Sequence, residues 1–142
     1  MTNLAIRRLT GALTHQAEAG EGPTQIADAV VATWQEMHAA LAPIVGKVGV
    51  AALYARTLHL TAQTHPWLAD AQDLFPTSID VEPLKFLLAQ RSSVEVAAAG
   101  GEFLHTFYQL LAGLIGAALT EQLLRPVLTH RFRLDAAQDL LL

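Results

Sequence analysis

The chain has 142 residues, among them 25 Ala and 24 Leu, with a formal net charge of −4 and no Cys. An apolar fraction of 52% with only 15% charged residues excludes intrinsic disorder, which requires low hydrophobicity and high net charge. The lack of Cys excludes a disulfide scaffold and thiol chemistry. Ala and Leu far outnumber the 14 Val and Ile residues, which favours helices over sheets. We therefore expect one all-α domain over residues 1–142, a bundle of five to six helices.

Charge and hydropathy also bear on the partners and the location. The acidic net charge argues against nucleic acid, because phosphate binding requires a basic surface. The longest apolar run, residues 110–119, is shorter than the stretch of about 20 residues that a spanning helix needs, so membrane insertion is not expected. Arg7 and Arg8 interrupt the N-terminus before any apolar signal segment, so we expect a cytoplasmic protein.

Three helices are predicted before residue 65. Apolar residues at helical spacing indicate a first helix over residues 4–17. Thr24 is the expected N-cap of the second helix, which Pro43 disturbs near its end. A third helix is expected over residues 48–63.

The next segment, residues 66–78, contains two prolines and lacks a clear amphipathic stripe. Loops of this length are often functional, so we interpret it as a candidate lid that Leu68 and Phe75 attach to the core. A short helix over residues 81–90 follows, with Asp80 as its cap.

The longest predicted helix occupies residues 93–125 and lies at the centre of the bundle. Ser92 and Glu95 have the spacing of a capping box at its start, and Pro126 is expected to end it. Gly100 and Gly101 weaken this helix, so the alternative to a continuous helix is a kink or a break there that gives two collinear pieces.

The remaining tail, residues 127–142, ends in three leucines. Either it docks as a final short helix, or a partner covers its apolar side chains. No internal repeat is evident along the chain.

A stripe of small residues on the long helix is the most specific pattern. Small residues on one helix face let a second helix approach closely. The neighbour is either another helix of the same chain or the same helix of a second copy, in a homodimer. The predicted interface residues are Ala112, Gly113, Gly116, Ala117 and Thr120.

Glu102 and His105 have the spacing of one half of a di-metal site. Such a site needs a second Glu-x-x-His pair, and the chain has none. No metal and no other cofactor is therefore expected, and a metal-dependent enzyme resting on this pair is the weakest hypothesis.

A set of polar and aromatic residues in the middle of the chain forms a candidate ligand site. His38 lies on the apolar stripe of the second helix, where a buried neutral imidazole is the alternative interpretation. Arg56 and His59 share a face of the third helix. The alternative interpretation is that this face is simply the solvated side of a surface helix. The candidate ligand-binding residues are His38, Tyr54, Arg56, His59 and Trp67.

No nucleophile motif is present, because the chain has no Cys and no Gly-x-Ser-x-Gly sequence. No catalytic residue is therefore assigned, and an enzyme is not favoured. The leading hypothesis is a non-enzymatic helical interaction or regulatory module that forms a homodimer or binds another protein. The alternative is a helical bundle that binds a small apolar or anionic molecule beneath the lid at residues 66–78.

Overall fold

The computed structural model describes the backbone of residues 4–71 and 80–141 and the side chains of residues 6–71 and 80–131. All regular structure in these ranges is helical, which confirms the all-α class. It comprises six α-helices and a short 3₁₀ helix, namely α1 (Leu4–Glu18), α2 (Pro23–Val45), α3 (Lys47–Thr64), the 3₁₀ helix (Pro66–Ala71), α4 (Glu82–Ala89), α5 (Ser93–Ile115) and α6 (Ala117–Leu141).

Helix α2 begins and ends differently from its prediction. It begins at Pro23, so the N-cap is Gly22 and not Thr24. The Gly22 N–H donates to Oε1 of Gln25 at 3.2 Å, which satisfies the backbone at this end. Pro43 lies inside the helix and is exposed, as is Ala39 four residues earlier, so water can reach the carbonyl that proline leaves unpaired.

The predicted single helix over residues 93–125 is wrong. The chain breaks at Gly116, where φ is +93°, a backbone conformation that glycine adopts readily. Helix α5 is continuous through Gly100 and Gly101, and α6 is continuous through Pro126. Pro126 and Gln122 are both exposed, so the unpaired carbonyl of Gln122 can again be hydrated.

Of the caps predicted for the two later helices, Ser92 is the N-cap of α5 as expected, whereas the N-cap of α4 is Val81 and not Asp80. Ser92 Oγ accepts a hydrogen bond from the Glu95 N–H at 3.3 Å at the start of α5. Asp80 Oδ1 accepts from the Glu82 N–H at 3.1 Å at the start of α4. These side chains satisfy backbone donors that have no partner within the helix.

Two predictions lie wholly or partly outside the described residues. Of the predicted lid, residues 66–71 form the 3₁₀ helix with Leu68 buried, whereas residues 72–78, including Phe75, are outside. The side chains of the three C-terminal leucines are also outside.

The described helices form an internal repeat in which each residue of the first half corresponds to the residue 70 positions later. The sequence alone had indicated no internal repeat. Helices α2 and α5 have 23 residues each and end at Gly46 and Gly116, whose φ and ψ are 89° and 153° in the first case and 93° and 149° in the second. All eight buried positions of α2 are also buried at the equivalent positions of α5. Within residues 23–64 and 93–134 the identical pairs are Ala27/Ala97, Ala29/Ala99, Leu41/Leu111, Ala42/Ala112, Gly46/Gly116, Leu53/Leu123 and Leu58/Leu128.

The two halves interlock around the crossing of α2 and α5. A Cβ on Gly100 would lie 2.5 Å from Cγ2 of Val30, and these two residues occupy equivalent positions of the repeat. A residue that contacts its own counterpart is what an approximate two-fold axis requires. Across this axis, α1 packs chiefly against α5 and α4 against α2, while α3 contacts α5 and α6 contacts α2. Each half therefore completes the core of the other.

We predict that Gly100→Ala lowers the free energy of unfolding by about 1–3 kcal/mol, because the new methyl group overpacks the α2–α5 crossing. Gly11→Ala, at an exposed position inside α1, is the matched control. A Cβ there meets nothing within 4 Å, so this variant is expected to gain up to about 0.5–1 kcal/mol from helix propensity. Urea unfolding measures both, and Val30→Ala should restore much of the stability of Gly100→Ala. Equal effects at the two glycines would contradict the close crossing.

A second prediction concerns the interlocked halves. A specific protease site inserted within residues 72–79 should permit cleavage after folding without separation of the halves, because each buries helices of the other. Native mass spectrometry of the cleaved protein should show both fragments in one complex, and circular dichroism should be unchanged. Separation into two folded fragments would show that the halves are independent units.

Candidate functional site

An aromatic cluster around Trp34 occupies the centre of the core. Trp34 is fully buried, and its ring stacks with those of Tyr54 and His38 at centroid distances of 5.2 and 5.8 Å. Phe103 and Phe107 of α5 meet the indole edge-on, at 6.0 and 4.5 Å. Two of the five candidate ligand residues, His38 and Tyr54, thus contribute to packing between α2, α3 and α5.

Two polar atoms in this cluster lack hydrogen-bond partners in the described part of the chain, namely the Tyr54 hydroxyl and Trp34 Nε1. Burial raises the pKa of Tyr54, and the negative charge of Asp80 raises it further. The hydroxyl therefore stays neutral well above the pH at which tyrosine ordinarily ionises.

The structure separates Tyr54 from the other two candidates on α3. Arg56 and His59 follow Tyr54 by two and five residues, so they are rotated from it by about 200° and 140° around the helix. Both are exposed, whereas Tyr54 is 6% exposed. The three side chains do not converge on one ligand.

Trp67 belongs to a different group of side chains. The guanidinium carbon of Arg91 lies 4.7 Å from the centroid of its ring, and the ring of His65 meets it edge-on at 6.1 Å. Arg91 also approaches Glu95, at 3.9 Å. Trp67 is half-buried and anchors the 3₁₀ helix beside the start of α5 by packing and a cation–π contact.

Glu102 pairs with His65 and not with His105. His65 Nε2 lies 2.8 Å from Oε2 of Glu102, and this contact ties the end of α3 to the middle of α5. The two residues are 37 positions apart, so no local pattern indicates the pair. Among the described residues, no group of three or more His, Cys, Asp or Glu side chains has an arrangement that could hold a metal ion.

The other face of Glu102 lines an open groove between α1 and α5 with a volume of about 390 Å³. Small residues from both helices form much of its surface. His105 also lines it, and the Nε2 atom of this imidazole is buried without a hydrogen-bond partner among the described residues. The lining residues are Arg7, Thr10, Gly11, Thr14, Ala97, Ala98, Gly101, Glu102 and His105.

The predicted interface residues lie at the corner between α5 and α6, not on one face of a single helix. Because Gly116 ends α5, the register of the stripe is broken there. Gly113, Gly116 and Ala117 are exposed and Ala112 is half-buried. Thr120 is buried within its own chain and donates its hydroxyl to the Gly116 carbonyl at 2.8 Å.

Large apolar side chains are exposed at the same corner. Leu114 is 62% exposed and Leu119 is 39% exposed. No charged or polar side chain occurs in residues 110–119. We refer to the exposed residues 113, 114 and 116–119 as the α5–α6 corner.

Comparison of the chain with models of protein families, with curated proteins and with solved structures finds no match. In the part of the chain that the structure describes, no helix combines the length and hydropathy needed to cross a bilayer.

A third prediction follows from the unpartnered hydroxyl of Tyr54. Tyr54→Phe should keep or slightly raise stability at pH 8, because a buried hydroxyl without a partner contributes no favourable hydrogen bond. In the unchanged protein the raised pKa lets the unfolded state ionise first, so Tyr54 makes stability fall as the pH rises above about 10.

Urea unfolding at pH 8 and at about pH 11 measures this contribution. The Phe variant should lose less stability between the two pH values than the unchanged protein. A loss of more than about 1 kcal/mol at pH 8 would show that the hydroxyl has a partner in solution.

Proposed function

We propose that the protein is a non-enzymatic helical interaction module that forms a homodimer through the α5–α6 corner. The observation that carries the proposal is the exposure of Leu114 and Leu119 in a stretch without charged or polar side chains. Contiguous apolar surface that is exposed to solvent is typical of sites where proteins associate.

A second copy of the chain suits this corner because the patch is complementary to itself. Leu114 protrudes, while Gly113 and Gly116 beside it have no side chains, so a leucine from one copy can pack over the glycines of the other. In a two-fold contact the same patch faces itself, and an uncharged patch brings no like charges together. Symmetric dimers are also the commonest oligomers of soluble proteins.

The equivalent corner between α2 and α3 is less suited to such a contact. Ile44 is 59% exposed and Val48 is 74% exposed there, so the large apolar side chains of this corner are at least as exposed. However, Lys47 lies between them and is exposed. A two-fold contact there would bring two lysine side chains together, which opposes association.

The substitution used to test the corner must leave its backbone intact. Gly116→Leu is unsuitable, because a side chain at φ +93° strains the backbone and would alter the corner itself. Leu114 is a better position, because it is a mostly exposed helical residue and its replacement removes little core packing.

We predict that Leu114→Glu converts the dimer to a monomer and leaves helicity unchanged, because two carboxylates would face each other in an apolar contact. Ile44→Glu, at the equivalent position of the other corner, is the matched control and should remain dimeric. Light scattering coupled to size-exclusion chromatography at several concentrations measures the mass of each variant. A monomeric wild-type protein, a dimer that survives Leu114→Glu, or a dimer that Ile44→Glu dissociates would each overturn the proposal.

A further inference from the structure

The two halves of the repeat differ most clearly where their first helices pack. Helix α4 packs on α2 of the opposite half, and Lys85 Nζ reaches Asp28 Oδ1 at 3.0 Å across the contact. Helix α1 packs on α5 of the opposite half in the equivalent way, and the position equivalent to Asp28 is Ala98. The corresponding ion pair cannot form, and the groove between α1 and α5 lies at this place.

Helices α1 and α5 run antiparallel along the groove. The Ser93 hydroxyl donates to the Glu21 carbonyl at 2.6 Å beyond the end of α1, whereas a Cβ on Gly101 would meet Thr10 at 3.3 Å further along. Arg7 is one turn beyond Thr10, and His105 is one turn beyond Gly101. Arg7 and His105 therefore lie toward the same end of the groove.

The groove is lined by one positive side chain, Arg7, and one negative side chain, Glu102, and the two do not form an ion pair with each other. Within the described residues, Arg7 has no ion-pair partner, and the ion pair of Glu102 is made to His65 through Oε2. The hydroxyls of Thr10 and Thr14 donate to carbonyls of their own helix, at 2.9 and 3.3 Å. Because each hydroxyl proton is already donated, these oxygens can only accept a further hydrogen bond from a ligand.

We propose that the α1–α5 groove binds a small zwitterion of the amino-acid class. Its carboxylate would pair with Arg7 at the end where His105 lies, and its ammonium group would donate to Glu102 and the threonine oxygens. A simple anion would be repelled by Glu102 and a simple cation by Arg7, so a ligand with both charges fits best. The groove volume of about 390 Å³ lies in the range of small-molecule sites, which begins at about 300 Å³.

The test uses the full chain and the twenty free L-amino acids, each added singly at millimolar concentration. Amide chemical shifts recorded by NMR report where each compound binds. We expect at least one amino acid to shift residues of α1 and α5 around Gly11 and Gly101. Arg7→Gln and Glu102→Gln should each weaken that binding by about tenfold or more, the effect of losing one charge-assisted hydrogen bond.

Two further variants keep the test decisive if Glu102→Gln disturbs folding through His65. Gly11→Leu should abolish binding without strain, because a Cβ at Gly11 meets nothing within 4 Å and the added side chain fills the groove. Arg8→Gln, exposed on α1 and outside the lining of the groove, is the matched control for Arg7→Gln and should bind normally. The absence of shifts for all amino acids, equal binding of the corresponding simple carboxylates or amines, or binding unaffected by Gly11→Leu would each overturn the proposal.

Discussion

The close crossing of α2 and α5 at Val30 and Gly100 is the constraint on which the rest of the structure depends. At this point one helix backbone meets a valine side chain, and a single added methyl group would overlap it. The short separation lets Trp34 of α2 reach Phe103 and Phe107 of α5. Tyr54 of α3 then stacks on the same indole, so the crossing sets the positions of three helices at once.

The repeat explains how α5 is buried, why proline occurs inside two helices and why the chain turns at two glycines. A helix as apolar as α5 must bury its surface against several neighbours. It packs against α1 and α3 of the other half as well as against α6 of its own half. Proline is tolerated inside α2 and α6 because buried residues on the opposite face hold each helix together, with Leu124 and Leu128 flanking Pro126. The glycines at positions 46 and 116 turn the chain at the same point of each half. As a result α3 packs against α5, and α6 packs against α2, across the axis.

Local features of this fold are readable from the sequence, whereas long-range ones are not. The all-α class, the third helix and the Ser92 cap follow from propensity, periodicity and capping chemistry. The repeat is hidden because its identical pairs are Ala, Leu and one Gly, in a chain where Ala and Leu make up 49 residues. The break at Gly116 and the continuity through Pro126 depend on tertiary contacts that override local preference. The His65–Glu102 pair joins residues 37 positions apart, which no spacing rule detects.

Comparison of equivalent positions in the two halves distinguishes residues that serve the shared core from residues that have another role. No homologous sequence is needed for this comparison. Positions that are buried in both halves, such as Leu41 and Leu111, are explained by the shared core. Ala98 and Glu102 instead differ in chemistry from Asp28 and Ala32, their counterparts, and both line the α1–α5 groove. The shared core does not account for these differences, although Glu102 also has a structural role through its contact with His65. Surface positions at which the halves diverge are therefore where a role beyond folding is best sought, and they point to the groove and to the uncharged α5–α6 corner.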